Sequence, residues 1–406
     1  MKNMTIIFAF ALAFAATIAS PAAAQTRWLK GNLHTHSLWS DGDAFPETVA
    51  AMYKERGYHF LALSDHNILS QGEKWTPASL VERRGGPGAL AAHVARYGAE
   101  HIEMRGEGDE REVRLRTLDE LRRQYEHPGE FILIQSEEIT DSYEGTPVHL
   151  NATNIQDLAP PQGGESVRDV IRRNLLAIEA QSERTGRPIL GHVNHPNYGW
   201  AITAEDLAHV PEDRFFEVFN GHPSVNTFGD RTRPSTERMW DIANTIRIGE
   251  LDSPPLFGLA TDDSHNYHGE VGALPFRGWV MVRAGSLDAK AIIASLRAGD
   301  FYASTGVALR DVRFDREART LTVEIEPSPD ATYITRFIGT RDDSGGAEGV
   351  ASIGETLLEI AGTTARYHFR GDELYVRAMV LSSLPVEFPI AEGQRQQVWT
   401  QPVGWE

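Results

Sequence analysis

The sequence contains no cysteine among its 406 residues. Disulfides and thiolate metal sites are therefore excluded. Any metal ion must be bound through nitrogen and oxygen ligands, which suit Zn, Mn or Fe(II). The fold must depend on a packed core instead, and a hydrophobic content of 41% with 24% charged residues is ordinary for a globular protein.

Basic residues are few, since 39 Lys and Arg stand against 57 Asp and Glu, for a net charge of −18. No basic block of useful length is present, which argues against a nucleic-acid or anionic-membrane surface. A small anionic substrate stays compatible with this composition, because bound metal ions reverse the sign of the local field.

Long apolar runs are absent except at the N-terminus. Lys2 precedes an apolar run at 4–18, and three alanines at 22–24 precede Gln25. This pattern is typical of a signal peptide spanning 1–24. An uncleaved membrane anchor is the less favoured alternative, because the run is short for crossing a bilayer. We expect a periplasmic or secreted mature protein without a stable membrane anchor.

The remaining chain divides by pattern into two parts. From about residue 28 strand-like and helix-like segments alternate, which predicts an α/β domain at 25–305. Residues 70–116 are charged and poorly periodic and indicate a long insertion, followed by a capping box at 117–120. Residues 306–406 contain short alternating strands between turns, which predict a small all-β, sandwich-like domain.

The stretch 31–41 reads Gly-Asn-Leu-His-Thr-His-Ser-Leu-Trp-Ser-Asp. On a strand, His34 and His36 would face the same side, because side chains alternate. A turn at 40–42 would bring Asp41 back toward them. The two histidines alone are a weak signal, and a pair of structural histidines is the alternative.

Ionisable residues recur where later predicted strands end. The runs are Ser64-Asp65-His66-Asn67, Ser136-Glu137-Glu138, Asn194-His195-Pro196, Asn220-Gly221-His222 and Asp262-Asp263-Ser264-His265. In β/α barrels this edge carries the active site, because the loops after the strands converge there. The alternative is that strands simply stop at the surface.

Together these motifs resemble the polymerase and histidinol phosphatase (PHP) superfamily of metallohydrolases. The matching runs are 31–36, 40–42, 64–67, 138–140, 148–151, 194–196 and 263–265, and the resemblance covers about residues 28–305. It implies a distorted, TIM-like (β/α)7 barrel with two to three divalent ions, Mn, Zn or Fe. The implied metal ligands are His34, His36, Asp41, His66, Glu138, His149, His195, Asp263 and His265.

One Zn needs about four ligands, so nine imply a cluster with at least one bridging group. Glu138 is the favoured bridge, and Asp263 is the other candidate. Three neighbouring pairs leave the ligand open, although the context favours the second member of each: Glu137 or Glu138, His192 or His195, and Asp262 or Asp263.

Other residues are candidates for handling the substrate. Arg277 and Lys74 could pair with a phosphate, although a salt bridge or a solvated charge is the alternative. His222 and His268 are the candidates for a catalytic general acid. Asp65 is expected to orient an imidazole.

The implied function is an exported phosphoesterase acting on a small phosphorylated molecule, with a hydroxide between two ions as the nucleophile. One alternative keeps the metals and cleaves a carboxylic or carbamate ester. Another is a metal-binding protein without catalysis, against which the complete ligand set argues.

The export pattern predicts cleavage after Ala24, so the mature chain should begin at Gln25. Mass spectrometry of protein from an exporting host measures this directly. An intact Met1 on fully active cytosolic protein would contradict the expectation.

Overall fold

The structure, a computed structural model, describes residues 26–342 and 353–406. The predicted signal peptide at 1–24 lies outside the described residues. Within the described ranges, no helix combines the length and the apolar character that crossing a membrane requires.

The described residues form nineteen strands and eight α-helices. The strands are β1 Arg27–Asn32, β2 Phe60–Leu63, β3 Trp75–Pro77, β4 Met104–Arg105, β5 Glu112–Arg114, β6 Ile132–Tyr143, β7 Thr146–Thr153, β8 Leu190–Val193, β9 Phe215–Asn220, β10 Phe257–Thr261, β11 Trp279–Ala284, β12 Phe301–Ser304, β13 Ala308–Asp315, β14 Thr320–Glu326, β15 Tyr333–Arg341, β16 Glu355–Ala361, β17 Thr364–His368, β18 Glu373–Pro385 and β19 Arg395–Thr400. The helices are α1 Pro46–Glu55, α2 Ala78–Gly85, α3 Ala89–Tyr97, α4 Leu118–Tyr125, α5 Val167–Thr185, α6 Ala204–Ala208, α7 Thr236–Gly249 and α8 Ala289–Arg297.

Local sequence explains where several helices begin. Proline occupies the first turn of α1, where its missing N–H costs no hydrogen bond. The predicted capping box before α4 is confirmed: Thr117 Oγ1 accepts from the Glu120 N–H, and Glu120 accepts from the Thr117 N–H at 2.8 Å. Ser166 caps α5 in the same position by accepting from the Asp169 N–H.

Thirteen of the described strands form one mixed sheet in the order β10-β9-β8-β7-β6-β2-β1-β11-β12-β19-β18-β15-β16. The strands β1, β2 and β6 are parallel neighbours, as are β8, β9 and β10. Between these two sets, β7 runs antiparallel to both of its neighbours. The α/β class is therefore confirmed.

The predicted (β/α)7 barrel is not confirmed. No ladder closes the sheet within the described residues, and β10 forms one of its edges. A single parallel bridge, Thr35 with Ser264, joins the chain just beyond β1 to the chain just beyond β10. This bridge brings the end of the edge strand β10 to the end of the interior strand β1, at the place where the ionisable residues lie.

The insertion at 70–116 contains more regular structure than its sequence predicts. It holds α2, α3 and a separate sheet of β3, β5 and β4. Val81, Leu90 and Val113 from this insertion pack with Leu38 and Trp39 in one buried cluster. The insertion thus supports the turn that follows β1.

Residues after 306 form strands β13 to β19, without a helix in their described part. The sheet β13-β14-β17 shares a buried cluster with β15 and β18, through side chains such as Leu321, Phe337 and Val380. Strand β19 also pairs with β12, where Thr400 lies opposite Tyr302. The large sheet therefore runs through the predicted domain boundary, and the division at 305 stays a prediction.

A buried ion pair joins α7 to β18. Arg377 donates from Nε and Nη2 to the two Asp241 oxygens at 2.8 and 2.7 Å, and Tyr375 Oη donates to the same carboxylate at 2.8 Å. The side chains of Asp241 and Arg377 are only 4% and 1% exposed.

We expect Asp241→Asn to lower the free energy of unfolding by about 3 kcal/mol, because it leaves a buried guanidinium without its bidentate partner. The matched control is Glu387→Gln in the exposed Arg56–Glu387 pair, where about 0–1 kcal/mol is expected. Chemical denaturation of both variants measures the difference. Equal stability of the two variants would contradict a structural role for the buried pair.

Candidate metal centre

The extended chain that follows β1 carries His34 and His36, whose imidazoles lie on the same side of the backbone. Pairing with the chain beyond β10 keeps it extended, since the His36 N–H donates to Ser264 O and the Asp263 N–H donates to His34 O, both at 3.0 Å. Side chains two residues apart therefore share a side. The rings of His34 and His36 lie with centroids 5.1 Å apart.

Four buried side chains converge at this point, and we call them the inner group: His34, His36, Glu138 and Asp263. Each Nε2 atom of the two histidines lies 3.2 to 3.3 Å from Glu138 Oε2 and from Asp263 Oδ1.

Both Nε2 atoms and Glu138 Oε2 are buried without a hydrogen-bond partner. Buried polar atoms are almost always paired, so these three call for a ligand that the side chains do not supply. Nitrogen and oxygen donors in this arrangement can hold a divalent metal ion.

Two further sets of ligating side chains, which we call the outer groups, lie nearer the surface. They are His36, Asp41, His66 and His265, and His66, Glu138 and His149. Asp41 lies 3.2 Å from His265 Nε2 and 3.5 Å from His66 Nε2, and its side chain is 49% exposed. The outer groups therefore face solvent, whereas the inner group is enclosed.

The structure brings all nine predicted ligands together, with Glu138 at the centre. Its carboxylate lies within 3.3 Å of five imidazoles, those of His34, His36, His66, His149 and His195. Burial alone would raise the pKa of Glu138, but the neighbouring imidazoles of His66 and His34 hold it well below its usual range. This central position is the one that a bridging ligand needs.

Two of the nine ligands have a left-handed backbone, with φ of 24° at His195 and 49° at Asp263. Non-glycine residues adopt this region at a cost, and such strain concentrates at functional sites. The turn that carries Asp41 is tight for a different reason. A Cβ on Gly42 would lie 2.8 Å from the backbone of His36 and Ser37, so only glycine fits.

The neighbouring glutamates on β6 point in opposite directions. Glu137 faces away from the cluster and accepts a hydrogen bond from the Ala159 N–H at 2.9 Å. Burial raises the pKa of Glu137 to about 7. Strand alternation thus places Glu138, and not Glu137, in the centre.

The other two ambiguous pairs separate in the same way. Asp262 accepts from Tyr53 Oη at 2.5 Å and from the backbone N–H groups of residues 276–278, so it holds the loop before β11. His192 lies buried on β8, with Nε2 3.5 Å from Glu217 Oε1. Asp263 belongs to the inner group, and His195 places Nε2 3.2 Å from Glu138 Oε1, so in both pairs the second member lies at the cluster.

Glu217 is a site residue that the sequence reasoning missed. It lies fully buried in the middle of β9 and accepts from His34 Nδ1 at 2.7 Å and from the His195 N–H at 2.8 Å. Burial would raise its pKa, but His34 and His192 hold the pKa well below the usual range. A lone acid in the apolar run Phe-Phe-Glu-Val-Phe was the available signal.

The two predicted substrate-binding cations do not line the cavity beside the cluster. Arg277 donates to the carbonyl oxygens of Phe388, Gly221 and Gly272 and is 7% exposed. Lys74 donates to the carbonyl of Trp39. These contacts favour a structural role for both.

Asp65 also has a different role from the one expected. It accepts from the backbone N–H groups of Ser37 and Ser40 at 2.8 and 3.0 Å and from both hydroxyls. Ser40 Oγ in turn lies 3.4 Å from His36 Nδ1. Asp65 thus orders the loop after β1 and reaches an imidazole only through Ser40.

One of the two predicted catalytic histidines lies at the cluster. His222 lines a cavity of about 190 Å³ together with Tyr198 and seven of the nine ligands. Burial lowers the pKa of His222 to about 4, so its ring is neutral at neutral pH. His268 is exposed and does not line this cavity.

If Glu138 and Asp263 bind metal, Glu138→Gln and Asp263→Asn should lower kcat/KM for an ester substrate by roughly several orders of magnitude. Glu137→Gln and Asp262→Asn, which change the neighbouring carboxylates, should cost about tenfold or less. Steady-state kinetics on the four folded variants measures this ranking. The reverse ranking at either pair would assign the ligand to the other residue.

Comparisons with known proteins come from structure alone, because no family model and no curated protein matched the sequence. A two-domain protein from Bacteroides vulgatus ATCC 8482, containing a predicted PHP-like metal-dependent phosphoesterase, is 16% identical with a TM-score of 0.41. The match covers 96% of this chain and 100% of that one.

Two other solved structures match 60% of this chain, both with a TM-score of 0.29. One is a proposed metal-dependent phosphoesterase from Bifidobacterium adolescentis ATCC 15703, which is 14% identical, and the match covers 92% of that chain. The other is an amidohydrolase from Chromobacterium violaceum, which is 15% identical, and the match covers 89% of that chain. The chain is thus similar, at low identity, to a protein described as containing a PHP-like metal-dependent phosphoesterase, to a second described metal-dependent phosphoesterase and to an amidohydrolase.

Proposed function

We propose that this chain is a divalent-metal-dependent phosphoesterase acting on a small phosphorylated molecule. The observation that carries the proposal is the inner group. Three of its buried polar atoms, His34 Nε2, His36 Nε2 and Glu138 Oε2, have no hydrogen-bond partner although they converge on one point. A metal ion satisfies all three at once.

Divalent ions held by these residues would lower the pKa of a bound water to near neutrality and would neutralise phosphate oxygens. Glu138 would hold two ions at a fixed separation, because its two oxygens face different imidazoles. His149 and His195 lie beside Oε1, whereas His34 and His36 lie beside Oε2.

His222 and Tyr198 complete the cavity wall and are free to contact substrate. The Ser224 N–H donates to His222 Nδ1 at 3.1 Å, so the proton of the neutral ring is on Nε2. His222 would therefore donate a hydrogen bond from Nε2 to a substrate oxygen. Tyr198 is 38% exposed, and its ring centroid lies 5.3 Å from that of His195.

Two wider expectations belong to the same proposal. We infer that the mature chain acts in the periplasm or outside the cell, which the pattern at 1–24 supports. We also propose that the strands around the centre form the distorted barrel that the motifs imply. The parallel bridge between Thr35 and Ser264 supports this arrangement.

A second candidate is hydrolysis of a carboxylic or carbamate ester. One observation favours it: among the described residues that line the cavity there is no Lys or Arg. The stretches 1–25 and 343–352 contain a single cation, Lys2. A neutral ester would not need a protein cation, whereas a phosphate dianion gains from one.

Metal content is the first test. Elemental analysis of gently purified protein should give two to three divalent ions per chain, and replacing His34 and His36 with Ala should lower that number. Glu387→Gln is a suitable control, because Glu387 pairs with Arg56 in an exposed ion pair and does not contact the cluster. A metal-free wild-type protein that is folded and active would overturn the proposal.

Activity is the second part of the same test. The metal-loaded protein should hydrolyse aryl phosphomonoesters or phosphodiesters faster than aryl carboxylic esters. The opposite order would favour the second candidate. Bound metal without turnover of any of the three would favour a metal-binding protein without catalysis.

A further inference from the structure

The buried carboxylate of Glu217 collects four hydrogen bonds from around the centre. Oε1 accepts from His34 Nδ1 and from Thr261 Oγ1, both at 2.7 Å. Oε2 accepts from the His195 N–H and from Asn220 Nδ2, both at 2.8 Å. Glu217 is 0% exposed, so these donors replace all of its water contacts.

The contact with His34 decides which ring nitrogen faces the cluster. Both Glu217 oxygens also accept from other donors, Oε1 from Thr261 Oγ1 and Oε2 from two N–H groups, so His34 Nδ1 is the donor in this contact. His34 Nε2 then faces Glu138 Oε2 and Asp263 Oδ1, each 3.3 Å away. Carboxylates in this position fix the tautomer and orientation of metal-binding histidines and raise their basicity.

Two of the other contacts of Glu217 lead to Asp263, and the third leads to His195, which lies beside Glu138 Oε1. Thr261 ends β10 two residues before Asp263, and Asn220 Nδ2 also lies 3.2 Å from Asp263 Oδ2. The backbone of His195, held by Glu217, carries an imidazole 3.2 Å from Glu138.

By contrast, four ligands of the outer groups form no hydrogen bond with Glu217 within the part of the chain that the structure describes. They are Asp41, His66, His149 and His265. The contacts of Glu217 therefore divide the centre into an inner part that it holds and an outer part that it does not touch.

We propose that Glu217 is a positioning residue for one metal ion, the ion held by the inner group, and that it does not set the affinity of the outer groups. The proposal rests on the proposed metal-dependent function. It adds that the metal affinities of the inner group and of the outer groups depend on different supporting residues. Glu217 acts through His34 and touches no ion itself.

The test compares metal binding by wild type, Glu217→Gln and a matched control, Glu137→Gln. Glutamine keeps the shape, but its NH2 group must face two of the four donors, so one pair of hydrogen bonds is lost. Glu137 is equally buried, yet among the described residues its carboxylate accepts only from the Ala159 N–H. Metal-free protein is titrated with Zn²⁺ in competition with a chelating dye, after circular dichroism confirms folding.

We expect Glu217→Gln to lower the affinity for one of the bound ions by about 10–100-fold and to leave the affinities for the others unchanged. Glu137→Gln should bind all ions as wild type does. Glu217→Asp, which retains the carboxylate, should recover part of the lost affinity. Wild-type affinities in Glu217→Gln, or equal weakening of every ion, would overturn the proposal, as would the same loss in Glu137→Gln.

A second measurement needs no variant of Glu217, so it remains possible if Glu217→Gln fails to fold. It tests whether Glu217 fixes the tautomer of His34. ¹⁵N NMR of histidine-labelled, metal-free wild type should show His34 protonated on Nδ1, with the signal assigned by its loss in His34→Gln. A His34 ring protonated only on Nε2 would overturn the proposal. Each of these results could overturn the role of Glu217 while the wild-type protein still binds metal. A wild-type protein that binds no metal would overturn the proposed function as well.

Discussion

The burial of Glu138 among five imidazoles is the constraint on which the rest of the structure depends. A buried carboxylate is costly unless opposite charge or hydrogen bonds compensate it. The chain beyond β1, β2 and β8 and the hairpin of β6 and β7 must therefore bring these imidazoles to one carboxylate. The strained backbone at His195 and Asp263 is consistent with this demand, because it persists only where the surroundings enforce it.

The shell around the cluster consists mainly of buried acids that do not face it. Glu217 holds His34 and the chain at His195, Asp262 holds the loop before β11, and Asp65 holds the turn that carries Asp41. Each accepts several hydrogen bonds, so each can stay buried and rigid. Support of this kind keeps ligands in one geometry before any ion arrives.

The contrast between inner and outer groups has a functional meaning. Inner ligands are enclosed and held by Glu217, whereas Asp41 is half exposed at the cavity. An ion held by the inner group would be enclosed, whereas an ion held by the outer groups would leave room for substrate. The cavity wall adds only an imidazole and a phenol to the ligands, so the ions would supply the positive charge that an anionic substrate requires.

The sequence by itself predicted the nine side chains that meet at the centre and favoured one member of each ambiguous pair, because strand alternation and motif spacing are local properties. It also predicted the α/β class and the capping box that begins α4. Only the tertiary structure decided that β7 runs antiparallel, that 70–116 folds into helices and a sheet, and that Arg277 and Lys74 bind carbonyls. The position of Glu217 depends likewise on contacts between strands distant in sequence, which no local pattern encodes.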